Sequence, residues 1–211
     1  MKEVNVLVDL DDTIVDFSQF FMNKLNEIIV KDTKFSYIHT YESLPYPFTV
    51  DMNINYDYRV MLKQYMSESD AQYIFDTVLD SLFSDVNLYT RPIFTKEARK
   101  IFEMIRHCRI YECTDNTRYN ITLHTKVNSY TMIESKGKLF NLYPELFGLF
   151  DRIIIDMEGV HSAKPTNYDI LIDDSPKNIK AFLEENLSGK VYLPLRQWNK
   201  DFSNNERVEI L

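Results

Sequence analysis

At 211 residues the chain can bury a full core, either as one domain or as one domain carrying a substantial insertion. Hydrophobic residues at 45%, charged residues at 27% and a formal net charge of -8 describe a globular protein and disfavour a nucleic-acid surface, which needs clustered Lys and Arg. No apolar run approaches the roughly 20 residues of a membrane span, the start turns acidic too soon for a secretory leader, and Cys108 and Cys113 are too few for a disulfide framework or zinc site; a reducing, cytoplasmic setting is expected.

Residues 4–8, Val-Asn-Val-Leu-Val, make a short β-branched run of the buried-strand type. It ends in Asp9, Asp11 and Asp12, three acids within four positions, followed by Thr13. Like charges this close disfavour each other's ionisation unless a cation or an incoming group offsets them. Asp16 is placed to cap a helix on which Phe17, Phe20, Phe21, Leu25, Ile28 and Ile29 recur at helical spacing. Residues 32–60 lose that period and hold Pro45 and Pro47 among the aromatics Tyr37, Tyr41, Tyr46 and Phe48, a loop-rich stretch. A second strong helix spans 67–83, with Ser67 or Ser69 as cap and Ala71, Ile74, Phe75, Val78, Leu79 and Leu82 as its stripe.

Beyond residue 88 helix and strand alternate. The spacing predicts an amphipathic helix over 95–106 led by Thr95, a strand over 109–114 (Arg-Ile-Tyr-Glu-Cys-Thr), and a helix over 120–136 stopped by Gly137. Strands follow at 152–156 and 169–173; Ser175-Pro176 opens a helix that ends near Gly189, and residues 190–194 form a last strand. Short apolar strands separated by helices predict a parallel sheet covered on both faces. The expected fold is therefore α/β, a doubly wound core of residues 1–16 and 89–211 with a small helical cap, 17–88, inserted after the first strand.

In such sheets ligands bind beyond the carboxyl ends of the strands. Three predicted strands end in polar groups there: Asp9-Leu10-Asp11, Thr114-Asp115-Asn116 and Asp173-Asp174, with Lys164 nine positions before the last pair. On these residues the chain resembles the haloacid dehalogenase superfamily of phosphotransferases: Asp9-x-Asp11-x-Thr13 its first motif, Thr114 its second, Lys164 its third and Asp173-Asp174 its fourth. Within the superfamily it is similar to the 5'(3')-deoxyribonucleotidases. Phe17 lies where that family sets an aromatic against the base, Lys126 falls close to a second phosphate-binding lysine, and the Trp198-Asn199 segment resembles the family's close.

The resemblance implies a Rossmann-like sheet and hydrolysis of deoxynucleoside monophosphates. Mg²⁺ would be held by Asp9, the Asp11 backbone carbonyl, and Asp173 or Asp174, which answers the repulsion among the acids. Asp9 would be the nucleophile and Asp11 the general acid and base, while Thr114, Lys126 and Lys164 bind phosphate. Asp115 stands at the phosphate-binding position where the family usually has serine, and either faces elsewhere or serves the sugar. Taken alone, Lys126 also fits a lysine on an exposed helix face, and Phe17 a core residue of its helix stripe. His39, His107, His124 and His161 share no spacing that suggests a metal or a triad. The expected partner is a small nucleoside monophosphate, with no membrane; a homodimer stays open. Two other readings stay open as well: a phosphatase of another small metabolite, and a non-catalytic nucleotide- or partner-binding protein.

Overall fold

Along the first strand, β1 (Lys2–Val8), Val6 and Val8 enter one buried apolar cluster while Leu7 enters another on the opposite side. Alternate side chains of a strand point to opposite faces, so both faces of the sheet are covered. A computed structural model describes residues 2–35, 46–111, 116–157 and 163–211. Its sheet has six strands, all parallel: β1, β2 (Thr117–Lys126), β3 (Arg152–Asp156), β4 (Ile170–Ile172), β5 (Lys190–Leu193) and β6 (Val208–Ile210), in the order β3-β2-β1-β4-β5-β6. In register, Val6 is opposite Ile121 on one side and Ile170 on the other. The chain leaves β1 toward β2 and β3 and later returns to β1's other edge as β4, so the strand order reverses at β1.

Between β1 and the rest of the sheet lie α1 (Phe17–Lys31), α2 (Tyr58–Leu62) and α3 (Glu68–Phe83). Asp16 caps α1 by accepting from the Gln19 amide at 2.8 Å, and Ser67 caps α3 by accepting from Asp70. Phe21, Leu25 and Ile29 of α1 and Ala71, Ile74 and Val78 of α3 are buried in the same cluster that holds Val6 and Val8. The helical layer is thus packed continuously with one face of the sheet. Among the described residues, no helix is long and apolar enough to cross a membrane.

Two expectations are corrected. Within the predicted strand 109–114, residues 109–111 are instead the end of a helix, α4 (Ala98–Tyr111), and 112–114 lie outside the described residues; the Arg109 guanidinium donates to the carbonyls of Tyr119 and Leu149 and to Asp151. The predicted helix 120–136 gives way to strand β2 and then to α5 (Tyr130–Leu142), capped by Ser129. The cause is burial on two sides: Ile121 and Leu123 join the apolar cluster, but Thr122, His124 and Thr125 are buried as well, so β2 lacks the apolar run of a central strand. Gly137 stops nothing, since the helix runs on for five residues and a Cβ there would meet nothing within 4 Å. The remaining elements are α6 (Pro144–Phe147) and α7 (Pro176–Glu185), the latter with Pro176 at its first position as expected. Cys108 is half-buried, while Cys113, Tyr37, Tyr41, His39 and His161 lie outside the described residues.

Candidate active site

The carboxyl ends of β1, β2 and β4 are neighbours at the point where the strand order reverses, so what each strand carries at its end meets the others. From β1 comes Asp9, whose amide bonds the Ile172 carbonyl at 2.9 Å. From β4 come Asp173 and Asp174. Carboxylate oxygens of Asp9, Asp173 and Asp174, all buried, lie within 4.8 Å of one another.

Each acid is held by different donors. Asp173 accepts from the Ser175 amide at 2.8 Å, from Asn178 Nδ2 at 2.9 Å and from Lys164 Nζ at 3.1 Å. Asp174 accepts from Thr13 Oγ1 at 3.1 Å and Trp198 Nε1 at 3.2 Å, while Asn199 binds its carbonyl at 2.9 Å. Asp9 receives a hydrogen bond from Lys164. Burial pushes the Asp9 carboxyl up to about 7 against the pull of Lys164, with Asp173 and Asp11 adding to the rise. Burial also raises Asp174 well above its ordinary range, helped by Asp12, Asp173 and Asp9. Burial alone would depress Lys164, but Asp173 and Asp9 outweigh it and hold the ammonium above its usual value. Three clustered acids against one lysine leave negative charge uncompensated. An all-oxygen donor set of this kind suits a hard divalent cation.

The turn after β1 is fixed from several sides. The Ile14 and Val15 amides both bond the Leu10 carbonyl, and Asp12 sits at φ 56, a left-handed conformation that Asp tolerates better than most residues. The Asp12 carboxylate accepts from the Ser18 amide at 2.7 Å and its hydroxyl at 2.8 Å, and Ser18 in turn meets the Tyr58 hydroxyl at 2.6 Å. Arg196 binds the Asp12 carbonyl at 2.8 Å and Glu97 at 3.0 Å. Asp12 therefore ties the turn after β1 to the helical layer.

Asp11 turns elsewhere. Its carboxylate accepts from the Tyr89 hydroxyl, from Thr125 Oγ1 at 3.3 Å and from Lys136 Nζ at 2.5 Å, and it lies outside the Asp9–Asp173–Asp174 cluster. Lys136 also donates to Thr125 Oγ1 at 2.5 Å and to the Lys126 carbonyl at 3.1 Å, and its ammonium stands 5.4 Å above the Tyr89 ring.

These groups floor a cavity of about 460 Å³. Asp9, Asp11, Lys126, Lys136 and Lys164 line it together with Phe17, Phe75, Leu79, Phe83, Val127 and Met132. Phe17 stacks on Phe83 with ring centres 6.2 Å apart. Tyr56, at φ 61, faces the cavity from the helical layer and sets its ring 5.8 Å from Trp198.

No protein-family model and no curated protein matches the chain by sequence. Solved structures match by shape. The whole chain aligns with 95% of a protein assigned as a phosphoglycolate phosphatase from Lactobacillus plantarum, with a TM-score of 0.56 at 11% identity. It aligns equally, over 100% of its length and 95% of the other's, with a protein assigned as a phosphatase from Clostridium difficile, at a TM-score of 0.56 and 13% identity. A haloacid dehalogenase-like hydrolase from Bacteroides fragilis gives a TM-score of 0.54 at 11% identity over 99% of this chain and 96% of that one. The fold is haloacid dehalogenase-like.

In the haloacid dehalogenase-like frame, Asp9, Asp11, Lys164, Asp173, Asp174 and Phe17 all reach one site. Thr114 and Asp115 lie outside the described residues, and the strand beside β1 ends instead in Thr125 and Lys126. Lys126 lines the cavity, but from a strand end rather than from a helix. Sequence reasoning missed Thr125, Lys136 and Tyr89. A signal was present: Lys136 follows Thr125 by eleven residues, and Lys126 follows Thr114 by twelve.

Proposed function

We propose that this chain is a Mg²⁺-dependent phosphomonoester hydrolase of the 5'(3')-deoxyribonucleotidase kind, acting on deoxynucleoside monophosphates through an aspartyl-phosphate at Asp9. The observation that carries this reading is the mixed lining of one cavity: the Asp9 carboxylate bonded by Lys164, together with an aromatic wall that includes the Phe17–Phe83 stack. A phosphorylated sugar would meet that wall with hydroxyls it cannot satisfy. A ligand as small and polar as phosphoglycolate, in the name of one structural neighbour, would leave it empty. A nucleobase fits it by stacking.

Asp9 attacks phosphorus, forming the Asp9 O–P bond as the P–O bond to the nucleoside breaks, and Asp11 gives its proton to the departing oxygen. Asp11 then takes a proton from water, whose oxygen displaces Asp9 from phosphorus and releases inorganic phosphate. Lys164 and Lys126, which line the cavity, offer charge and hydrogen bonds to the transferring phosphoryl group. Mg²⁺, held by Asp9, Asp173 and Asp174, would screen the repulsion between carboxylate and phosphate. Helices α1–α3 act as a cap, with Tyr58 and Ser18 joining it to the Asp12 turn.

The test is a phosphate-release panel of deoxy- and ribonucleoside monophosphates against sugar phosphates, run in Mg²⁺ and in chelator. Deoxynucleotides are expected to lead, and only with metal. A sugar phosphate in first place would replace the reading with a metabolite phosphatase. Nucleotide binding without turnover would replace it with a binding protein.

A further inference from the structure

Five basic side chains line the cavity: Arg59, Lys126, Lys136, Lys164 and Lys177. Four of them answer carboxylates of the protein itself. Arg59 pairs with Asp57 at 2.8 Å, Lys136 with Asp11 at 2.5 Å, and Lys164 with Asp9 and, at 3.1 Å, Asp173. Lys126 feels the attraction of Asp156. Lys177 is different: among the described residues it has no carboxylate partner.

Its place is nevertheless fixed. Lys177 is the second residue of α7, between two residues that grip the acid floor. Ser175, just before the helix, donates its amide to Asp173, and Asn178 donates to Asp173 and accepts from the Lys164 amide at 3.2 Å. Lys177 is also close enough to Lys126 to repel it. Burial is the main force lowering the Lys126 pKa, Asp156 opposes it, and Lys177 and Lys164 push further down. Cations set against one another around a cavity raise its positive potential and favour an incoming anion.

Resting on the phosphohydrolase reading, we propose that Lys177 is a substrate-binding residue whose ammonium grips the phosphate of the incoming monoester, a cavity cation that among the described residues answers none of the protein's own acids. The phosphate is charged both before and during reaction, so this contact strengthens ground state and transition state alike. It governs KM rather than kcat.

The probes are para-nitrophenyl phosphate as substrate and inorganic phosphate as competitive inhibitor, with the full chain in Mg²⁺. In Lys177→Gln, KM and the phosphate inhibition constant are both expected to rise roughly tenfold or more, the scale of a charge-assisted hydrogen bond, while kcat changes little. Lys177→Arg restores most of the affinity. Added salt weakens substrate capture more in the parent than in Lys177→Gln. Unchanged KM and inhibition constants overturn the proposal, as does a fall in kcat alone. Should the parent show no hydrolysis, the phosphohydrolase reading fails on its own. Calorimetric titration with inorganic phosphate then still decides the role of Lys177, and equal binding by parent and Lys177→Gln, or none by either, rejects it.

Discussion

Lys136 and Asp11 stand 125 residues apart in the chain and meet at 2.5 Å, the lysine with no exposed surface and the acid with its side chain 28% exposed. Asp11 is thereby drawn to the α5 side of the cavity, away from the three acids that cluster around Asp9. Breaking a buried pair by removing one partner strands the other's charge, at a cost of about 3–5 kcal/mol where both are buried. Because Asp11 is partly exposed, Lys136→Met is expected to cost less, about 2 kcal/mol. The penalty should shrink by about 1 kcal/mol when Asp11 is already Asn. Urea unfolding of both single variants and the double variant measures this. Equal penalties in the two backgrounds would mean that Lys136 is kept for Thr125 and the Lys126 carbonyl instead.

How far the sequence reveals this site depends on what each residue has beside it. Asp9, Asp11, Asp173 and Asp174 are legible because each follows directly on an apolar run that is a strand. Lys164 is legible through its distance from that last pair. Trp198 and Asn199 sit in the closing segment and bind Asp174 from it. Thr125 was hidden because β2 buries Thr122, His124 and Thr125 among its apolar residues, blurring the pattern of a central strand. The exposed Ile110 next to Tyr111 looked more strand-like than it is, since Arg109 anchors that stretch as a helix end. Lys136 and Tyr89 are tertiary facts: nothing local announces a lysine that will be wholly buried or a phenol that will find an acid.

Asp9→Asn is expected to abolish turnover, since a carboxamide does not form the phosphoryl ester. Asp11→Asn should lower it by roughly 10²–10⁴-fold, the range of general acid–base groups. Rapid-quench labelling separates the two roles: Asp11→Asn still forms a trace of phosphoenzyme, while Asp9→Asn forms none. Labelled protein in Asp9→Asn would remove it from the nucleophile's place.

Thr125, at the end of the strand beside β1, and Thr114 give a direct comparison. Thr125→Ala removes the hydroxyl that Lys136 and Asp11 both contact and should reduce kcat/KM by at least about tenfold. Thr114→Ala should be milder. Steady-state kinetics of the pair decides between them, and a greater loss in Thr114→Ala would return the motif to the position read from sequence.

The aromatic wall predicts a split between substrates. Phe17→Ala opens the stack on Phe83 and removes a surface for the base, worth about 1–3 kcal/mol where such stacking has been measured by truncation. KM for a deoxynucleotide should therefore rise about fivefold or more, while KM for a small phosphomonoester without a ring stays nearly constant. A parallel rise for both would assign Phe17 to packing alone.

Stability should depend on pH and metal together. Burial lifts Asp9 and Asp12 from 3.8 to about 7 and raises Asp174 as well, so the folded chain keeps protons that the unfolded chain sheds near pH 4. The folded state then binds more protons between those limits, and stability falls as pH rises from about 4 through about 7. His124, lowered first by burial and then by Lys164, works in the opposite sense, but as one group against three. The metal-free protein is thus expected to melt higher at pH 5 than at pH 8. On the proposed reading Mg²⁺ would take the place of protons on Asp9 and Asp174, so it should raise the Tm little at pH 5 and clearly at pH 8. Calorimetric melts with chelator and with Mg²⁺ at both values test this. A metal-free Tm that climbs from pH 5 to pH 8, or a Mg²⁺ shift of equal size at the two, would mean that these carboxyls are already ionised in the fold and that the acid cluster is balanced by something other than bound protons.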